Sequence, residues 1–135
     1  MKITFTIGST VSTLADDTAA PRIAGVIEQW GGSAKVQTEP LYGAVNEVDF
    51  PRGNIGGDFT FTAGCSFATV DAAGAAFATA YALLNSQGSV KVYPSGGSAV
   101  ITMANAVLKD VTRTEYNGHW LKLRYTFKIT TITSS

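Results

Sequence analysis

The chain has 135 residues, 45% of them hydrophobic, so it can bury about two-thirds of its unfolded surface and needs neither metal ions nor disulfides to fold. Ten basic and ten acidic residues cancel, which excludes an overall charge that attracts nucleic acid or an anionic membrane. Because Cys65 is the single cysteine, a disulfide framework within the chain is excluded. From the chain length we expect one β-domain spanning residues 1–135.

The N-terminal part of the chain is typical of short β-strands. Apolar and polar residues alternate over 2–7, and Gly8-Ser9 can turn the chain into a returning strand. Extended character resumes over 22–30 and over 33–38, with Gly31-Gly32 between them, which favours a second hairpin. The start turns polar too soon for a signal peptide, and no apolar run approaches the roughly 18 residues of a membrane span, so we expect no membrane partner.

Residues 39–57 show no clear period and are predicted to form one long loop. The segment contains Pro40, Pro51 and four glycines, with apolar residues scattered among them. Loops of this length are uncommon in compact domains and are usually functional or ordered by a partner. We therefore expect this segment to contact a partner.

One amphipathic helix is predicted over about 69–87. Thr69 has the side chain of an N-cap, Asp71 suits the positive first turn, and Gly88 can end the helix. The other faces are mostly alanine, so the helix can lie very close to a sheet or to a neighbouring subunit, and Ala75 is a candidate contact. The apolar positions that recur at spacings of three and four are Val70, Ala73, Phe77, Ala80 and Leu84.

The last quarter of the chain is predicted to be a long hairpin with one apolar and one cationic face. Asn117-Gly118 favours a two-residue turn, whose register needs a bulge near Tyr116 to bring apolar faces together. The cationic face, with Lys122, Arg124 and Lys128, is either an ordinary solvated face or an electrostatic docking surface. The apolar face consists of Leu121, Leu123, Tyr125, Phe127 and Ile129.

No group of residues has the spacing of an active site. His119, the only histidine, lies beside the predicted turn and has no nucleophile at a recognised spacing, so we expect a solvated hairpin tip. Cys65 has no histidine or second cysteine nearby and is expected to be a small strand residue. The glycine-rich stretch 52–58 precedes a strand pattern and lacks the lysine and Ser/Thr of a phosphate loop. We predict no enzyme activity, no cofactor and no metal.

The order of these elements resembles the tail-tube fold of bacteriophages and related injection machines. The resemblance lies in the short hairpins, the long loop, the central helix and the terminal apolar and cationic hairpin. It is carried by the stretch Tyr42-Gly43-Ala44 to Asp58-Phe59-Thr60-Phe61, the alanine-rich helix, and Val107-Leu108-Lys109 to Arg124-Tyr125-Thr126-Phe127. The family implies an antiparallel β-sandwich or barrel with one flanking helix, assembled into hexameric rings whose sheets join around a channel for DNA.

The resemblance implies a structural subunit of a phage tail, in its tube or its tip. Its partners would be further copies of itself in hexameric rings and other tail proteins, with DNA only passing non-specifically. It would be made in the bacterial host cytoplasm and located in the virion tail. The candidate subunit contacts are Tyr42, Glu47, Asp49, Phe50, Arg52, Ala75, Lys122, Arg124 and Lys128.

Three alternatives remain open at this point. A capsid decoration or head-to-tail connector protein belongs to the same structural class. A β-sandwich ligand-binding module belongs to another class, with Trp30, Tyr42 and Tyr93 as possible sugar-stacking residues. A small enzyme is the third alternative. A binding module is expected to be monomeric with a pocket, whereas a tail subunit is expected to form rings or tubes.

Overall fold

The computed structural model describes residues 1–18, 22–31, 33–40, 47–55, 57–95, 97–129 and 133–134, with the backbone alone for 33–40, 47–55, 115–117 and 133–134. Within these ranges the chain is a mainly antiparallel β-fold with one helix. The elements are β1 (Lys2–Ile7), β2 (Thr10–Asp16), β3 (Ala24–Trp30), β4 (Ser33–Pro40), β5 (Glu47–Ile55), β6 (Gly57–Ser66), α1 (Val70–Tyr81), β7 (Gln87–Tyr93), β8 (Ile101–Asn117), β9 (Trp120–Ile129) and β10 (Thr133–Ser134).

Seven strands form one sheet in the order β2-β1-β7-β8-β9-β6-β3, and β10 pairs with the start of β8. The edge strands β2 and β3 meet at a single bridge, where the N–H groups of Asp16 and Ile23 donate to each other's carbonyl oxygens at 2.9 and 2.8 Å. The sheet therefore curls on itself but is not a closed barrel. The prediction of a mainly antiparallel β-fold with one helix is confirmed, whereas the sandwich or closed barrel that the resemblance implied is replaced by one curled sheet in the described residues.

The inner face of the curled sheet holds the core. Phe5, Phe59, Phe61 and Phe127 are fully buried. The rings of Phe5 and Phe127 meet edge to face at 4.9 Å, although two strands separate β1 from β9 in the sheet, so the curvature brings them together. The predicted apolar face of β9 is confirmed, because Leu121, Leu123, Tyr125, Phe127 and Ile129 are all buried.

The helix begins as predicted. The Thr69 side chain accepts a hydrogen bond from the Ala72 N–H at 3.1 Å, and Asp71 lies in the first turn. Ala73 is fully buried against the sheet. Val70, predicted on the apolar face, is 48% exposed because it precedes the part of the helix that packs on the core.

The end of the helix differs from the prediction. α1 ends at Tyr81 rather than near residue 87, and Asn85 takes the left-handed conformation with a φ of 66°. Gly88, predicted to end the helix, lies within β7. A Cβ there would collide with the carbonyl oxygen of Thr6 and lie 2.9 Å from the Phe5 ring, so this glycine permits the close approach of β7 to β1.

The predicted long loop over 39–57 is wrong, because most of it belongs to strands. β4 and β5 pair from Ser33 opposite Ile55 to Pro40 opposite Glu47. Arg52 and Gly53 together oppose the single residue between Ala34 and Val36, which is a bulge that interrupts the alternation. The proline and glycine content of this segment therefore reflects an irregular hairpin.

The second predicted hairpin, between 22–30 and 33–38, is also wrong. β3 pairs with β6, with Trp30 opposite Phe59. The chain continues through Gly31, whose N–H donates to the Asp58 carbonyl at 3.3 Å, and the β4–β5 pair follows directly. Gly31-Gly32 predicts a turn between paired strands, but β3 and β4 pair with β6 and β5 and not with each other.

The terminal hairpin has the predicted partners in a corrected register. The turn consists of Gly118 and His119, because Asn117 pairs with Trp120 and Gly118 has a φ of 60°. Register shifts in β8 restore the pairing of inward-facing residues, including Val111 with Tyr125. The bulge predicted near Tyr116 lies slightly earlier in the strand, between Arg113 and Glu115.

Candidate functional site

The titratable residues that the sequence singles out do not form a catalytic arrangement. Phe67 donates its N–H to the His119 carbonyl at 2.8 Å, and the Nδ1 atom of His119 lies 3.1 Å from the Phe67 carbonyl oxygen. His119 therefore fixes the β8–β9 turn to the loop before α1. Within the described ranges no three His, Cys, Asp or Glu side chains lie close enough to hold a metal ion, and no helix is long and apolar enough to cross a membrane.

The cationic face of β9 is partly neutralised by acidic residues of the same chain. The Arg124 Nε atom lies 3.0 Å from a Glu28 carboxylate oxygen, reaching across β6 to β3. Lys109 on β8 pairs with Asp58 on β6 at 2.9 Å, and Asp58 is also opposite Lys128 in the strand register. The stripe predicted from β9 alone is therefore part of a mixed surface in which both signs of charge alternate.

Threonines fill the centre of this mixed surface. Thr60 and Thr62 are only 8% and 5% exposed although they face away from the core. Thr60 donates a hydrogen bond to the Thr126 hydroxyl at 3.3 Å. The outer face of β3, β6 and β9 therefore combines threonines with ion pairs that cross between strands.

The predicted contact residues in the described ranges lie on three elements: Ala75 on α1, four residues on β5, and Lys122, Arg124 and Lys128 on β9. Ala75 is exposed on α1, in a row of small side chains with Gly74 and Ala78, while the opposite side of the helix packs on β8 and β9. The Arg113 guanidinium, 5.2 Å from the Phe77 ring centre, anchors the helix to β8. On β5, the strand register pairs Glu47 with Pro40, Asp49 with Thr38 and Phe50 with Gln37, and Arg52 lies at the bulge; Tyr42 is outside the described residues.

The residues suggested for sugar stacking are not brought together. The Trp30 ring packs on the buried Phe59 ring at 5.3 Å and is not a free surface platform. Tyr93 lies at the end of β7, separated from β3 by three strands, and the Lys2 ammonium lies 5.9 Å from its ring centre. The third residue, Tyr42, is outside the described ranges.

A cavity of about 250 Å³ between α1 and the edge strand β2 is a feature that the sequence analysis did not predict. None of its lining side chains is charged. Burial raises the pKa of Tyr125 to about 12, and it also raises the pKa of the Cys65 thiol, so both groups are neutral near pH 7. The lining residues are Ser12, Thr13, Leu14, Ile23, Ala63, Cys65, Phe67, Ala76, Thr79, Ala80, Leu83, Leu121, Leu123 and Tyr125.

No protein-family model and no curated protein matches the sequence. Solved structures that are similar in fold along nearly the whole chain include the following two. A chain in the cryo-EM structure of the anti-feeding prophage baseplate, six-fold symmetrised, has a TM-score of 0.59 at 8% identity, covering 99% of this chain and 91% of that one. A chain in the structure of an extracellular contractile injection system, the PVC sheath/tube terminator in its extended state, has a TM-score of 0.53 at 10% identity, covering 99% and 93%.

At such low identity these similarities show a common fold. The chain folds like components of phage-tail-like injection systems, which agrees with the resemblance found in the sequence.

Proposed function

We propose that the protein is a structural subunit of a phage tail or a phage-tail-like particle, in its tube or its tip, and that copies of it assemble into rings. The observation that carries the proposal is the fold shared over 99% of the chain with a component of a six-fold symmetrised baseplate. Its partners are further copies of itself and other tail proteins. Its role is architectural rather than enzymatic.

The free edges of the sheet support ring assembly. Beyond the bridge between Asp16 and Ile23, β2 and β3 have no neighbouring strand on their outer sides among the described residues. β2 carries neither lysine nor proline, the residues that usually protect an exposed edge, and Val11 and Val26 are each 61% exposed. Pairing β2 of one subunit with β3 of the next is a head-to-tail contact, which closes into a ring when the rotation per subunit is suitable.

The β4–β5 hairpin is a second surface for subunit contact. Its strands pair with each other and not with the seven-stranded sheet in the described part of the chain. Eight residues of β4 at about 3.3 Å each extend roughly 25 Å. We place the contacts predicted at Glu47, Asp49, Phe50 and Arg52 on this hairpin.

Negative-stain microscopy and light scattering of the purified full chain test the proposal. Rings or tubes of uniform diameter are expected for the unaltered protein. Charges introduced at both exposed edge positions, Val11→Lys with Val26→Lys, should abolish rings while leaving the circular dichroism spectrum unchanged. A control is Val70→Lys, which adds one lysine at the exposed start of α1, away from both edges, and should still form rings.

Two results would contradict the proposal. A protein that stays monomeric at every concentration would refute ring assembly. Normal rings from the doubly substituted edge variant would show that assembly does not use the two edges.

A further inference from the structure

The strand β2 has a free edge and also lines the cavity beside α1. Ser12, Thr13 and Leu14 are consecutive in β2, and all three line the cavity. The alternation of side chains is interrupted here by a bulge, because Thr4 pairs with Thr13 and Ile3 with Ala15, which leaves Leu14 as the extra residue. This stretch of β2, an edge strand, therefore forms one wall of the cavity. The unpaired main-chain groups of this edge are therefore adjacent to the cavity.

The helix forms the opposite wall. Ala76, Thr79 and Ala80 of α1 line the cavity together with Leu83, and residues of β6 and β9 form its floor. The cavity is thus bounded by an edge strand on one side and a helix on the other, and it is partly open to solvent. A segment lying along β2 has direct access to it.

Small side chains create the cavity. On the inner face of β6, Phe59 and Phe61 fill the core, but Ala63 and Cys65 follow them along the same face. On α1, Ala76 and Ala80 face the same space. Protein interiors usually have few voids larger than a water molecule, so a cavity of about 250 Å³ marks a local departure from close packing.

The lining selects the size and charge of an occupant. No charged side chain lines the cavity, so a charged group entering it would lose its hydration without a compensating partner. A cavity of about 150 Å³ lined by apolar side chains binds benzene. This larger cavity therefore has room for a leucine or phenylalanine side chain.

We propose that an extended segment of a neighbouring protein chain pairs with the free edge of β2 and inserts one uncharged apolar side chain into the cavity. In this mode of recognition, main-chain hydrogen bonds provide affinity, and the pocket selects the side chain. That the partner is a neighbouring subunit rests on the proposed function. The site itself rests on the β2 edge and the cavity.

The first test uses short capped peptides as probes for the full-length protein, dilute enough to be monomeric. The reference probe is a seven-residue peptide of alternating threonine and serine with a central phenylalanine, and binding is followed by NMR of the isotope-labelled protein. It should shift the backbone amides of Val11 to Leu14 and the signals of Ala76 and Ala80. Replacing the central phenylalanine by aspartate should weaken binding at least about tenfold. N-methylation of the backbone, which removes strand pairing but keeps the ring, should weaken it similarly.

The second test changes the cavity. Ala76→Leu fills it from the helix side and should weaken binding of the phenylalanine peptide at least about tenfold. The matched control is Ala78→Leu, on the exposed side of the same helix, which should change binding by less than about twofold. Cys65 is the only cysteine and lines the cavity, so alkylation of the unaltered protein gives an independent measurement. In the unaltered protein, the bound peptide should slow alkylation of Cys65. This measurement does not depend on whether the Ala76→Leu variant folds.

Four results would overturn the proposal: no binding of the phenylalanine peptide, equal binding of its N-methylated form, unchanged binding by a folded Ala76→Leu protein, or binding of toluene in the cavity without any binding of the peptide. The last would identify a small-molecule cavity instead of a strand site. Peptide binding by a chain that never forms rings would support this site while refuting the proposed function. Rings formed by a chain that does not bind the peptide would support the proposed function while refuting this site.

Discussion

Adding one methyl group at each of two glycines should change the stability of the fold in opposite directions. At Gly88 in β7, a Cβ would collide with the Thr6 carbonyl oxygen and approach the Phe5 ring to 2.9 Å. At Gly74 in α1, a Cβ would meet no heavy atom within 4 Å other than those of its own helical turn and chain neighbours. Both positions have ordinary negative φ values, since only Gly8 and Gly118 have positive φ among the described glycines. The two substitutions therefore differ in packing and secondary structure rather than in backbone strain.

The magnitudes follow from these contacts. Gly88→Ala forces β7 away from β1, and overpacking of this kind costs about 1–3 kcal/mol. Reduced freedom of the unfolded chain offsets about 0.4–1 kcal/mol of this cost. The expected net loss is about 1–2 kcal/mol of unfolding free energy. Gly74→Ala removes a glycine from an exposed helix position and should add roughly 0.5–1 kcal/mol.

Urea titration followed by circular dichroism measures both changes, at one fixed protein concentration because assembly would itself stabilise the fold. Thermal melting of the same variants gives a second measurement, in which a change of 1 kcal/mol shifts the melting temperature of a domain of this size by roughly 3–5 °C. Gly88→Ala at or above the stability of the unaltered protein would refute the argument that the Thr6 backbone limits this position. A loss of stability in Gly74→Ala would show that this helix face is not open.

Three further predictions concern single interactions. Thr69→Ala removes the N-cap and should lower the unfolding free energy by about 1 kcal/mol in urea titration, whereas Thr69→Ser should restore most of it. Arg124 and Glu28 are 45% and 37% exposed, so their coupling in a double-mutant cycle should be at most about 1 kcal/mol and should decrease with salt; a larger, salt-independent value would contradict this. Burial raises the pKa of Tyr125 from 10.0 to about 12. The neutral phenol therefore contributes fully to the unfolding free energy below pH 10, and this contribution is lost as pH rises toward 12. In the Tyr125→Phe variant, the urea midpoint should fall less between pH 10 and pH 12. An equal fall in the variant would show that ionisation of Tyr125 does not cause it.

Local patterns in the sequence predict individual elements correctly. In β9, apolar residues alternate with charged and polar ones, and each apolar residue from Leu121 to Ile129 is buried. The cap at Thr69 is equally local, because its hydrogen bond spans three residues. A pattern that repeats within one element, with a clear contrast between its faces, needs no information about neighbouring strands.

Strand partners and the end of the helix depend on distant residues and were predicted wrongly. Gly31-Gly32 predicts a turn, but Trp30 pairs with Phe59 on β6, and β4 pairs with β5. Gly88 predicts the end of the helix, but the structure requires a glycine there for the close approach of β7 to β1. A glycine indicates that backbone freedom or space is needed, but the sequence does not show which one.

The cavity could not be predicted because it requires small residues on different elements to face the same space. Ala63 and Cys65 on β6 and Ala76 and Ala80 on α1 are unremarkable in their own segments. A void forms only when the curled sheet places them opposite one another. The small side chains of α1 predict a close approach to a sheet or to a neighbouring subunit, whereas Ala76 and Ala80 leave space unfilled.

The cationic face of β9 shows how neighbouring strands change the meaning of a charge pattern. Glu28, which pairs with Arg124, is 96 positions earlier in the chain, and Asp58 is brought opposite Lys128 by strand pairing. Because these acids neutralise part of the stripe, long-range attraction from this face is weaker than β9 alone suggests. The proposed contact with a neighbour is then better explained by features with no partner within the described chain, which are the β2 edge and the adjacent uncharged cavity. Main-chain pairing and apolar burial depend weakly on salt, so assembly that persists from low salt to about 1 M, where the screening length is near 3 Å, would support this explanation over an electrostatic one.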